Sequence, residues 1–325
     1  MGWLVRSAWG YLCGVTLAAS LGAAPPTLPG PDATPPAPDA PAYTVRLTRP
    51  ARVGEKFNFV ADASFVQSLS GVVSGRAKSL RPTSGWLHLE AVERVLEVSA
   101  RGEPSKSTYT LTRCTLREGN AETEFLPPEA VLTVTAGRWK SRVEIDGRPI
   151  TMREETILRA AVSLPNTKDI SLDDAFGTAK ARRVGESWPV NAEALARYVS
   201  RQGVTVKKDD VSGTVKLKSV QDVGGVPHVL VAGAVTIRQW SPDPAYLPQE
   251  AQFVSGSAEL KFTKLVPLAA TGPCLTDTYS EKDLVKMKTR DDAILPDVVA
   301  DGKILRTSGI KRTPLRAEPA ASGQE

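Results

Sequence analysis

Histidine and cysteine are scarce in this chain, and their scarcity removes several kinds of chemistry. Two histidines and three cysteines occur in 325 residues. Zinc and copper centres gather several His, Cys or carboxylate side chains at short spacing. His88 stands alone, and His228 follows Pro227 with neither Cys nor acid at ligand spacing. The sequence therefore points to no metal and to no other cofactor. A Gly-x-Ser-x-Gly turn is also missing, since Gly71-Val72-Val73-Ser74-Gly75 has the wrong spacing. No glycine-rich phosphate loop precedes a helix, and no Asn-x-Ser/Thr sequon is present. Past the N-terminus no apolar run approaches a membrane span, because the longest, residues 226–235, is broken by His228 and Gly233. The formal charge of +5 is a weak bias with basic residues scattered among acids, so nucleic acid is not an expected partner.

What the chain does have begins at its N-terminus. Arg6 is the one charged residue before an uncharged stretch, Ser7 to Ala24, which holds Trp9, Leu12, Val15, Leu17 and Leu21 and ends in Ala18, Ala19, Ser20, Gly22, Ala23 and Ala24. This is the layout of a secretory signal peptide, whose processing enzyme admits only small side chains at the cut. Residues 1–24 are read as this signal peptide, with Ser20, Gly22 or Ala23 expected as the last residue removed. The destination is then the periplasm or the outside of the cell, with a retained N-terminal membrane anchor as the alternative. A lipid anchor on Cys13 fits less well, because the bulky Tyr11 and Leu12 precede it.

Residues 25–42 form a spacer that cannot build hydrogen-bonded structure: eight of the seventeen residues from Pro25 to Pro41 are proline. Alternation starts at Tyr43, with Val45 and Leu47 on one side and Thr44, Arg46 and Thr48 on the other, the pattern of a half-buried strand.

Two strings then recur in the same order. Arg52-Val53-Gly54-Glu55-Lys56-Phe57 is echoed by Arg183-Val184-Gly185-Glu186-Ser187-Trp188, and Ser84-Gly85-Trp86-Leu87-His88-Leu89 by Ser212-Gly213-Thr214-Val215-Lys216-Leu217. The Gly in the first string suits a tight turn with positive φ, and the following aromatic can plug a core. The second string alternates as a strand with one buried face. Two related β modules are expected, at residues 43–164 and 182–313, joined by a connector at 165–181 and followed by a disordered tail at 314–325.

Further strands are read at Tyr109 and Leu111, Leu132 and Val134, and Val143 and Ile145, the last ending on an Asp146-Gly147 turn. In the second module Val229 and Val231, Val235 and Ile237, and Ala258, Leu260 and Phe262 alternate, with Gly224-Gly225 as a turn. Helices are few: one from Asn191 as cap to Gly203, and a weaker one from Thr151 to Leu164. The fold class is mainly β, two related antiparallel modules with a few short helices.

Candidate functional residues are correspondingly sparse. Cys114 and Cys274 leave two readings open: a disulfide closing a loop of about 160 residues, worth ~3–5 kcal/mol, or two separate buried thiols. Trp86, Trp139, Trp188 and Trp240 could line a ligand groove or simply fill the core. Aligning the two copies sets His88 opposite Lys216, which makes it a solvated strand residue rather than a general base. The adjacent acids Asp173-Asp174, Asp209-Asp210 and Asp291-Asp292 suit turns and caps, because neighbours in sequence point apart.

The Val-Gly-Glu-x-aromatic entry and the Ser-Gly strand resemble those of bacterial exported β-rich proteins of unknown function. More remotely, the shape is similar to the half-barrel lipoprotein carriers of the periplasm. That resemblance implies a concave sheet sheltering acyl chains and assigns no functional residue. The expected function is an exported envelope or secreted protein without a catalytic centre that binds a partner, for instance an envelope protein, or an apolar or lipid ligand. The alternative is a hydrolase of unfamiliar type with a site assembled from distant residues.

Overall fold

The computed structural model describes residues 41–48, 50–73, 76–137, 141–159, 161–164, 170–200, 204–242, 247, 251–269, 274–289 and 298–315. The signal segment, nearly all of the proline-rich spacer, Trp139, Asp291-Asp292 and all but the start of the tail lie outside the described residues.

The chain is mainly β, with three short helices among the described residues. In order, they are β1 (Ala42–Tyr43), β2 (Lys56–Val73), β3 (Arg76–Val98), β4 (Pro104–Glu118), β5 (Ala121–Glu124), β6 (Val131–Thr135), β7 (Arg142–Ile145), β8 (Arg148–Pro149) and helix α1 (Met152–Leu158). Then come α2 (Leu172–Phe176), β9 (Arg182–Arg183), β10 (Ser187–Pro189), α3 (Ala192–Ser200) and β11 (Val204–Val206). The chain closes with β12 (Val211–Val223), β13 (Val226–Ile237), β14 (Trp240–Pro242), β15 (Ala251–Pro267), β16 (Thr276–Thr289) and β17 (Val298–Pro314).

Thirteen strands make one antiparallel sheet, ordered β10-β12-β13-β15-β16-β17-β2-β3-β4-β6-β7-β8, with β5 also on β4. The last strand is therefore central. β17 pairs with β16 on one side and, from Val298↔Val73 to Pro314↔Phe57, with β2 on the other. β3 runs 23 residues, far beyond the usual strand of about 5–6.

Two apolar cores flank that centre on the same side of the sheet. The first gathers Phe59, Leu87, Leu89, Tyr109, Leu111 and Leu132 under Ile157 and Leu158 of α1. The second gathers Val215, Leu217, Val231 and Phe262 under Phe176 of α2 and Leu195, Tyr198 and Val199 of α3, and it takes in Val45 and Leu47 from the N-terminal segment.

Local chemistry explains most boundaries. Asp146-Gly147 and Gly224-Gly225 both adopt positive φ and close the β7–β8 and β12–β13 hairpins, as their residue types allow. Asn191 Oδ1 accepts from the Ala194 N–H at 3.1 Å and caps α3. Helix α1 starts on a Thr151–Glu154 capping box but stops at Leu158, short of the expected Leu164. Past the helix, Ser141 holds Leu164: its Oγ accepts from the Leu164 N–H at 2.8 Å and donates to the Leu164 carbonyl at 2.9 Å. Inside the expected connector, Ser171 and Asp174 form a second capping box that starts α2.

The two Arg-Val-Gly-Glu strings fold into the same turn. Gly54 (φ +88°) and Gly185 (φ +91°) both lie in the left-handed region. Glu55 N–H donates to the Arg52 carbonyl at 3.2 Å, and Glu186 N–H to the Arg183 carbonyl at 3.1 Å. Each Gly N–H then reaches across to a strand, Gly54 to the Val95 carbonyl and Gly185 to the Leu217 carbonyl, both at 2.8 Å. The Ser-Gly strings do not follow this register. Leu217 belongs to the second string, whereas Val95 lies six residues past Leu89, where the first string ends.

Candidate functional site

Between the two cores, the inward side of the central strands is charged. β15 contributes Lys264, β16 contributes Asp277, Glu281 and Asp283, β17 contributes Arg306 and Arg312, and β3 contributes Glu93. These groups form a row of cross-strand pairs. Lys264 Nζ donates to Asp277 Oδ2 at 2.5 Å, and Arg306 Nη1 lies 2.9 Å from Glu281 Oε2 and 3.5 Å from Asp283 Oδ2. Arg312 reaches over the Phe59 ring, 5.3 Å from its centroid, and its Nε donates to Glu93 Oε2 at 2.6 Å. The Tyr109 hydroxyl donates to the other Glu93 oxygen at 2.9 Å.

Two side chains from the helical segments interact electrostatically with this seam. Arg159, which caps α1 and pairs with Glu155, has its pKa lowered by burial, the cationic Arg306 acting in the same direction. From α3, Tyr198 is pushed up by burial and by the carboxylates of Glu103 and Asp277.

The protonation states show what the seam can do. Burial raises Asp283 well above the carboxylate range, with Glu281 adding to the shift and Arg306 opposing it. For Lys264, burial works against the charge but Asp277 outweighs it, so the ammonium is held above its ordinary range. A lysine nucleophile needs the opposite shift. Burial also pushes the Cys274 and Cys114 thiols up to about 12, leaving both protonated at neutral pH and inert as nucleophiles.

His88 lies on the other side of the sheet, facing outward as expected, but it is covered more than a solvated strand residue would be. Its Nδ1 meets Asp62 Oδ1 and its Nε2 meets Glu90 Oε1, each at 2.8 Å. The ring stacks on Trp86 at 5.6 Å, and the Arg117 guanidinium sits 5.0 Å from the Trp86 ring centroid. Burial opposes the imidazolium, yet the hydrogen bonds and charges of Glu90 and Asp62 prevail and raise the pKa. Both ring nitrogens are engaged, so neither is open to take a proton from a substrate. Asp62 and His88 come together through strand pairing, which their spacing along the chain does not signal.

The outward side of β15, β16 and β17 is the other chemically distinctive surface. In-register rows place Thr263 beside Thr278, Lys261 beside Ser280 and Thr307, and Glu259 beside Lys282 and Leu305. The Ser64 and Thr307 hydroxyls meet at 2.6 Å where β2 continues the face. Small hydroxylated side chains keep the middle of this face flat, and the lysines stand along it.

The remaining candidates disperse. Cys114 and Cys274 are free thiols. β3, β2 and β17 separate the strand of Cys114 from β16, and at about 4.8 Å per strand that is roughly 19 Å, beyond the ~7 Å a disulfide spans. Trp188 and Trp240 fill the second core, with the Trp188 Nε1 donating to the Phe176 carbonyl at 2.8 Å, so neither shares a groove with the outward Trp86. His228 is buried, its Nδ1 2.8 Å from the Val226 carbonyl. Asp173 accepts from the backbone of Leu47 and from the Thr48 hydroxyl, and Asp174 pairs with Arg101 at 2.7 Å, which makes both of them structural acids. Among the described residues, no three His, Cys, Asp or Glu side chains converge as a metal site would require.

No family model and no curated protein matches the chain. Among solved structures it is similar to lipovitellin, described for its lipid–protein interactions, at a TM-score of 0.30 and 10% identity over 83% of this chain. The chain spans 27% of that lipovitellin's length. It is also similar to an outer membrane channel from Pseudomonas putida F1, at a TM-score of 0.17 and 8% identity over 82% of this chain and 97% of that one. OpdQ from Pseudomonas aeruginosa matches at 0.17 and 7% over 80% and 98%. These are remote likenesses of shape.

Proposed function

We propose that this chain is an exported envelope or secreted protein that acts by binding, through the outward side of its long central strands, and that its buried charges serve the fold. The observation that carries this is the division of polar chemistry between the two sides of β15, β16 and β17. Inside, buried acids and bases pair with one another. Outside, a long face of hydroxyls and lysines meets solvent. Export is supported by Arg6 and the apolar segment that ends in small residues at Ala24. Two related modules, residues 43–164 and 182–313, are supported by the matching turns at Gly54 and Gly185. An apolar ligand has less support, because α1 and the pair α2 and α3 already fill the two apolar flanks.

The test is sedimentation of the purified chain with isolated cell-envelope fragments. A variant with Thr278→Gln and Ser280→Gln puts longer, uncharged side chains at the centre of the face. Binding should fall by about tenfold or more, as it does when the centre of an interface is disturbed, while the melting temperature holds. Unchanged binding would overturn the proposal. N-terminal sequencing of the exported protein checks the compartment: a first residue between Leu21 and Ala24 supports it, and an intact Met1 end counts against processing.

A further inference from the structure

We infer that the far end of this outward face docks on an anionic lipid surface; the inference rests on the binding function proposed above. Along β15, β16 and β17 the outward positions carry Lys261, Lys282, Lys286, Lys288, Lys303 and Lys311 against two acids, Glu259 and Asp301. Lys282 pairs with Glu259 at 2.9 Å and Lys286 lies 3.9 Å from Asp301, so the face keeps a net positive charge after its own acids are counted. Toward the Lys288 end, exposed aliphatic side chains stand in the same rows. Leu284 pairs with Lys303, Val299 with Lys288 and Val72, and Leu305 with Val66. Leu284, Val299, Val72 and Val66 are 42%, 37%, 45% and 38% exposed.

A soluble protein scatters such residues singly. Here they alternate with cations on one surface, and that combination suits lipid headgroups: phosphates meet the lysines while aliphatic side chains enter the boundary of the acyl region. A transmembrane role does not suit it, because lysines at alternate outward positions oppose burial in hydrocarbon. A soluble polyanion would use the lysines but not the aliphatic residues.

The experiment is co-sedimentation of the full exported chain with vesicles of phosphatidylcholine alone or containing phosphatidylglycerol. Binding should require the anionic lipid and weaken as salt rises. Lys286→Gln and Lys303→Gln should each reduce partitioning about fivefold, the worth of one lysine near a charged leaflet. Leu284→Ser with Val299→Ser should lower the salt-resistant remainder, and unchanged melting temperatures certify folding. Equal binding to neutral vesicles, or lysine variants that bind as the parent does, would overturn the inference. So would capture by soluble polyphosphate in the absence of vesicle binding. If vesicles are not bound but envelope fragments are, and the Thr278/Ser280 variant still loses them, the general binding function stands and the lipid surface falls.

Discussion

Arg312 offers the sharpest test of how the last strand is held. Its side chain is 16% exposed and that of its partner Glu93 only 2%, and Nε meets the carboxylate at 2.6 Å. Burial opposes the arginine's charge, but Glu93 outweighs it and raises the pKa. Replacing Arg312 with Met keeps most of the volume over Phe59 and strips the cation from Glu93. Breaking a buried pair on one side costs about 3–5 kcal/mol, because the orphaned charge stays behind. In a chain of this size that is a fall of roughly 6–10 °C in melting temperature. Adding Glu93→Gln removes the orphan and keeps an acceptor for the Tyr109 hydroxyl, so the double variant should recover most of the loss. Thermal unfolding of the parent, both single variants and the double variant completes the cycle. A Met variant that loses less than about 2 °C would refute the account, since that corresponds to only ~1 kcal/mol. So would a loss that Glu93→Gln does not restore.

Two further predictions rest on raised pKa values. Asp283, held up by burial and then by Glu281, costs the folded state more as pH climbs past the ordinary aspartate value of 3.8, so Asp283→Asn should be close to neutral at low pH and increasingly stabilising toward pH 7. A variant that is more destabilised at pH 7 than at low pH would count against that environment. His88 is raised above 6.5, so its contribution is fully present below that pH and is lost as pH rises through the folded value. The cost of His88→Gln, read as a shift in melting temperature, should therefore be larger in mildly acidic buffer than in alkaline buffer, and a cost independent of pH would exclude the Asp62–His88–Glu90 clamp.

Sequence alone located the elements that rest on apolar burial or on glycine. Leu87 and Leu89, Val215 and Leu217, and Ala258, Leu260 and Phe262 alternate along strands and are buried as their period requires. The Asp146-Gly147 and Gly224-Gly225 turns and the Asn191 cap were readable because each residue type supplies the local geometry. β16 and β17 were not readable. Their inward positions hold Asp277, Glu281, Asp283, Arg306 and Ser308 where a strand signal needs aliphatic residues. The His88 cluster was hidden for a different reason. Asp62 faces His88 only through the pairing of β2 with β3, and the expected equivalence of His88 with Lys216 used a register that the folded strands do not share.

Charge on both sides of β16 and β17 also bears on how they find their place. A strand with one apolar face is set by burial, and a slip of one residue turns that face to solvent. Here a one-residue slip would turn Lys282 and Lys286 inward and Glu281 and Asp283 outward, at a large desolvation cost. A slip of two keeps the faces but moves Arg306 from opposite Glu281 to opposite Tyr279 or Asp283. The cross-strand pairs at Glu281, Asp277 and Glu93 thus select the register between the two cores, a task the flanking aliphatic residues perform elsewhere. Once the inward side is fixed in this way, the outward lysines are fixed too, in rows whose spacing no flexible loop could hold. The buried charged seam is therefore what positions the proposed binding face.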